Sequence, residues 1–162
     1  MANIKKFNVL EHYDLKSMRW VLFAGEVMPE KVFNYWKRNI QHASFSNLYG
    51  PTEITVDCTY IILEKEYDSK EGLPIGLPCR NSDVLVLNGD DQLVTEPYKL
   101  GELCVRGSSL AMGYYNDPEK TAQAFVQNPL NPHYPERIYR TGDVVYYNDR
   151  GELMYKGRKD FQ

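Results

Sequence analysis

Residues 19–51 carry the pattern that most restricts what this chain can fold into. Trp20-Val21-Leu22-Phe23-Ala24 is an unbroken apolar run that stops at Gly25. Such a run suits a strand covered on both faces, as in a parallel sheet. The next segment, residues 29–40, opens with Pro29 and Glu30, both suited to a first helical turn. Within it Val32, Phe33, Trp36 and Ile40 fall on one face of a 3.6-residue period. A second strand is expected over 43–48, ending at Tyr49-Gly50-Pro51. Strand, helix and strand with short links make a parallel, right-handed βαβ unit. Both Gly25-Glu26 and Tyr49-Gly50 then emerge at the carboxyl ends of strands, the edge where open α/β sheets place ligands.

The character changes after residue 57. Strands are expected over 59–63, 83–87, 92–95, 102–106, 143–147 and 152–155. Asn88-Gly89-Asp90-Asp91 and Asn148-Asp149-Arg150-Gly151 read as hairpin turns. Asp117-Pro118-Glu119 opens a short helix, with Asp117 as its N-cap. The expected fold is therefore α+β. A small βαβ portion (1–57) is followed by a β-rich, barrel-like subdomain (58–162). Charge excludes some partners: 19 Lys and Arg against 22 Asp and Glu leave a net −3. That balance gives no electrostatic case for nucleic acid or an anionic membrane surface. The longest apolar run is far short of the roughly 20 residues that span a bilayer, and the N-terminus lacks the apolar core of a secretory signal. Three separated cysteines, Cys58, Cys79 and Cys104, form no CxxC pair, so reduced thiols in a cytoplasmic protein are expected.

Three segments can carry chemistry. In Asn47-Leu48-Tyr49-Gly50-Pro51-Thr52-Glu53, Gly50 permits close backbone approach and Tyr49 offers a flat ring. Thr52 supplies a hydroxyl, and Glu53 a carboxylate fit for Mg²⁺ beside phosphate oxygens. The same residues also build an ordinary strand-end turn. In Tyr139-Arg140-Thr141-Gly142-Asp143, an acid after a glycine turn suits a ribose diol; a plain β-turn aspartate is the alternative. In Gly157-Arg158-Lys159-Asp160-Phe161-Gln162, the Arg158 guanidinium suits phosphate or ribose oxygens, or simply a charged terminal segment.

Taken together and in this order, these segments resemble the adenylate-forming (AMP-binding) superfamily. Val21-Leu22-Phe23-Ala24-Gly25-Glu26 and Gly101-Glu102-Leu103-Cys104-Val105-Arg106-Gly107 with Gly113-Tyr114 complete the likeness. It is closest to the amino-acid adenylation domains of nonribosomal peptide synthetases and to D-alanine–carrier-protein ligases. The wording Gly25-Glu26-Val27-Met28-Pro29 leans to the latter; Pro51 and Gln162 fit the amino-acid branch as a whole.

The resemblance implies roles residue by residue. Tyr49 matches the adenine-stacking residue, with Asn47 at the adenine edge and Gly25, Glu26 and Gly50 beside the nucleotide. Thr52 matches a phosphate contact and Glu53 the Mg²⁺ ligand; these two are the catalytic candidates. Asp143 matches the acid that holds both ribose hydroxyls, and Arg158 a second ribose or phosphate contact. Asp160 matches an interdomain hinge, and the stretch from Gly101 to Tyr114 a structural support. Leu22, Ala24, Leu48, Val56 and Asp57 match part of the acyl pocket. An Asp57 carboxylate there suits a polar or cationic side chain, unless it points to solvent. The implied reaction joins an amino acid to AMP from ATP with Mg²⁺, releasing pyrophosphate. The acyl group then passes to the phosphopantetheine thiol of a peptidyl or D-alanyl carrier protein. The family's phosphate loop, ending in Pro-Lys-Gly, and its catalytic lysine are absent from these 162 residues, so an inactive fragment of a larger ligase is expected. The alternatives are an acyl-CoA-synthetase-like enzyme, distinguished by the acid it activates, and a non-catalytic nucleotide-binding or scaffold module.

Overall fold

The computed structural model describes residues 9–68 and 72–159. Two sheets divide the chain. Sheet A has the order β1-β2-β3-β4, built from β1 (Trp20–Phe23), β2 (Ser44–Tyr49), β3 (Thr59–Ile62) and β4 (Leu77–Pro78). β1 and β2 run parallel, with Trp20 opposite Ser44 and Phe23 opposite Asn47. β3 is antiparallel to β2, so the change of character after residue 57 falls between two neighbours of one sheet.

Helix α1 (Glu30–Asn39) links β1 and β2 and packs on one face of sheet A. Phe33 is 1% exposed, and its ring meets those of Phe23, Phe45 and Tyr67 at centroid distances of 6.3, 5.6 and 6.0 Å. Val32, Trp36 and Ile40 complete the buried stripe the spacing predicts. β1 departs from its expected burial. Val21 and Phe23 are buried, but Trp20 and Leu22 are 51% and 60% exposed. The cause is position: β1 is an edge strand, and among the described residues α1 covers only one side of it.

Sheet B curls through β5 (Ser82–Leu87), β6 (Gly101–Gly107), β8 (Arg137–Tyr147) and β7 (Phe125–Gln127), and β9 (Leu153–Arg158) pairs with β8. Helix α2 (Pro118–Ala124) precedes β7; the Asp117 side chain caps it by accepting from Lys120 N at 2.9 Å. Both expected hairpin turns form by one device. Asn88 Oδ1 accepts from the amides of Asp90 and Gln92, and Asn148 Oδ1 from those of Arg150 and Glu152. Residues 92–95 make only a bridge at Leu93 rather than a full strand.

The sheets meet where Ile75 N donates to Leu153 O and Ala111 N to Glu53 O, both at 2.8 Å. The cysteines are free thiols; burial pushes those of Cys58 and Cys104 up to about 12. No described helix is long and apolar enough to cross a membrane. Asp160, the expected hinge, lies outside the described residues.

Candidate functional site

A cleft of about 350 Å³ opens between the carboxyl edge of sheet A and strands β8 and β9, a size that suits a small ligand. Its lining includes Asn47, Leu48 and Tyr49 of β2, Gly25, Glu26 and Gly50 from the segments after β1 and β2, and Asp143, Tyr155 and Arg158 from sheet B. The structure thus brings together eight sequence-nominated residues. Thr52, Glu53, Leu22, Ala24, Val56 and Asp57 stand outside this lining.

Strand alternation explains the division. Asn47 and Tyr49 share the face of β2 that carries Phe45, whereas Leu48 points the other way, opposite Tyr60 and on the same side as Leu22. One motif therefore serves both faces of the sheet. Asn47 is buried, and its Nδ2 donates to Pro74 O at 2.7 Å. Gly50 is dictated by space: a Cβ there would lie 2.3 Å from Val56 O and 2.7 Å from Asp57 Cα. That close approach holds the turn after β2 against the Val56-Asp57 loop, whose Thr55 and Val56 adopt φ of 63° and 82°. A β-branched residue at positive φ is strained, and such strain gathers at functional loops.

Asp143 is aimed into the cleft by a bulge. β6 pairs with β8 at Glu102–Val144 and again at Cys104–Arg140, so β8 has extra residues at Thr141-Gly142-Asp143. The expected glycine turn is instead an interruption within one long strand, with Gly142 at φ 72°. Bulges commonly re-aim a side chain beside a site. Thr141 Oγ1 donates to Leu103 O at 2.7 Å and accepts from Asp143 N at 3.0 Å. Asp143 is 7% exposed. Its Oδ2 accepts from the Tyr49 hydroxyl and its Oδ1 from Arg158 Nη1 at 3.4 Å. Burial, reinforced by the Asp143 charge, raises the Tyr49 phenol well above its ordinary value, so the ring stays neutral.

Glu53 lies in a short 3-10 turn (Thr52–Ile54) beside the cleft. Its Oε1 accepts from the Tyr114 hydroxyl at 2.6 Å. Burial opposes its ionisation, but hydrogen bonds led by Tyr114 outweigh that and hold the carboxyl below its ordinary value. One ionised carboxylate suits Mg²⁺, which is commonly held by one or two carboxylates plus phosphate oxygens and water. No cluster of three or more metal-ligating side chains occurs among the described residues. Asp57 differs: one of its oxygens is buried without a hydrogen-bond partner, and burial raises its pKa.

Sequence reasoning missed Tyr155. Its ring centroid lies 6.4 Å from that of Tyr49, so two tyrosines flank the cleft. Nothing local marks it among the chain's 13 tyrosines; only the pairing of β9 with β8 brings it there. A larger, shallower concavity of about 590 Å³ includes Arg106, Asp83 and Glu136, but these charges already pair with one another.

Comparison with known proteins gives matches to one family. The family model for AMP-binding enzymes matches residues 1–115. A mycosubtilin synthase of Bacillus subtilis is 41% identical over 91% of this chain, which spans 6% of that relative. Tyrocidine synthase 2 of Brevibacillus parabrevis is 38% identical over 94% of the chain and 4% of its own length. Among solved structures, holo-PA1221, a nonribosomal peptide synthetase protein containing adenylation and PCP domains, superposes with a TM-score of 0.81 at 31% identity, over 86% of this chain and 24% of that one. CmiS6 gives 0.84 at 30% identity, over 93% and 36%.

Proposed function

This chain belongs to the AMP-binding enzyme family, and from that premise we propose that it forms part of an ATP-dependent ligase that activates an amino acid as its aminoacyl-AMP. The observation that carries this reading is the convergence of Asn47, Tyr49, Asp143 and Arg158, drawn from three strands of two sheets, on one cleft. In the proposed complex the adenine stacks on Tyr49, near the Asn47 amide, with Tyr155 at its side. The Asp143 carboxylate accepts from both ribose hydroxyls, which replace the bond it now receives from the Tyr49 hydroxyl. Arg158 offers its fork to ribose or phosphate oxygens.

Thr52 and Glu53 lie at the phosphate side, where Glu53 would hold Mg²⁺ and so offset charge on the phosphates. The acyl pocket is proposed on the opposite face of sheet A, along Leu22, Ala24, Leu48, Val56 and Asp57. The alternation of β2 lets nucleotide and acid approach the same edge from its two sides. The amino-acid class is supported by the peptide-synthase relatives, and transfer to a carrier protein by holo-PA1221, which contains a PCP domain beside its adenylation domain. A two-part division, with sheet A running across residue 57 into β3 and β4, and a hinge at Asp160 belong to the same proposal.

Titration of the chain with AMP tests the core of the reading. AMP is expected to bind weakly, with Asp143→Ala lowering affinity at least about tenfold, or ~1.4 kcal/mol. Affinity unchanged by that substitution would contradict the assignment of the cleft.

A further inference from the structure

Glu102 was expected only to support the fold, but three donors converge on it. It lies on β6, is 9% exposed and faces the Thr141-Gly142-Asp143 bulge. Its Oε1 accepts from Gly142 N at 3.2 Å. Its Oε2 accepts from Arg140 Nη1 at 3.0 Å and from Lys159 Nζ at 3.4 Å. Arg140 in turn pairs with Asp91. The bulge removes the half-buried Gly142 N–H from the β6–β8 ladder, so that amide needs another acceptor. The Glu102 carboxylate supplies that acceptor one residue before Asp143. Gly142, at positive φ, has little conformational preference of its own to hold the turn. Lys159 follows Arg158 directly, so the carboxylate that fixes one side of the bulge also anchors the residue next to the guanidinium on its other side.

We infer that Glu102 is a positioning residue for Asp143 and that Lys159, bound to the same carboxylate, couples the end of β9 to the aim of that acid. The inference rests on the proposed role of Asp143 as the ribose-binding acid. It adds a residue to that role: Glu102 touches no ligand and acts through the Gly142 amide.

The test compares AMP with 2′,3′-dideoxy-AMP, which lacks the diol, on the same folded protein. Wild-type chain is expected to prefer AMP, and Glu102→Ala to reduce the AMP/dideoxy-AMP affinity ratio about fivefold or more. Glu102→Gln, which keeps an acceptor for Gly142 N–H, is expected to restore most of the ratio. Lys159→Met should lower it by a smaller factor, with no added effect in the Glu102→Ala background. A general loss of packing would weaken both ligands equally, so an unchanged ratio in Glu102→Ala overturns the inference. Should that variant fail to fold, Glu102→Asp, one methylene shorter, carries the same comparison. If Asp143→Ala abolishes the preference while Glu102→Ala retains it, the inference alone fails. If the wild type shows no preference, the ribose assignment fails and the inference falls with it.

Discussion

Asp143 and Asp57 are carboxylates in opposite situations. Asp143 accepts bonds from Tyr49 and Arg158. Asp57 has an oxygen buried without a partner, and burial raises its pKa. The sign of the consequence follows from linkage. A carboxyl whose folded pKa lies above its unfolded value binds its proton more tightly in the native state. Its ionised form therefore penalises the fold above the folded pKa, and the penalty disappears as pH falls below the ordinary carboxylate value. Asp57→Asn should raise the Tm at pH 7 and leave it nearly unchanged at about pH 3, measured by thermal melts in low salt. A destabilised variant at pH 7 would show that the carboxylate has a native partner. If the acyl-pocket proposal holds, the same orphan oxygen favours a substrate whose side chain donates a hydrogen bond or carries positive charge.

At the level of elements, α1 and β1–β2 form one packed unit beneath the cleft. Phe33 is its centre, packed edge-on against Phe45 and tilted against Phe23. Truncating a fully buried phenylalanine typically costs about 3–5 kcal/mol. Phe33→Ala should therefore lower the unfolding free energy read from urea titration by about that much, and the loss should also disturb the Tyr49 end of β2. This unit was legible in the sequence because its information is local: an apolar run, a 3.6-residue stripe and a terminating glycine. The helix bounds and parallel pairing follow that reading closely. Exposure of Trp20 and Leu22 was not legible, since a run of apolar residues does not report which sides of a strand are covered. The bulge in β8 was equally hidden. Arg140-Thr141-Gly142-Asp143 has turn composition, and only pairing with β6 on one side and β9 on the other keeps it within a strand.

The chain spans 24–36% of the solved structures quoted above, and the phosphate loop and catalytic lysine that the family resemblance implies are not in its sequence. Amino-acid-dependent exchange of pyrophosphate into ATP is therefore expected to be undetectable with the 162 residues alone and present in the longer ligase proposed to contain them. An amino-acid panel on that longer protein would also name the substrate; exchange by the short chain would overturn the prediction. The amino-acid sequence by itself determined the α+β class, the βαβ unit and membership of the family, because periodicity and ordered motifs are written along the chain. The tertiary structure alone decided which motif residues meet. Tyr49 and Asp143 are 94 positions apart, and Tyr155 and Glu102 carry no local mark of their placement. Their positions follow from strand register and from irregularities in the β6–β8 and β8–β9 pairings, which are set by pairing between distant segments and leave no signature in local sequence.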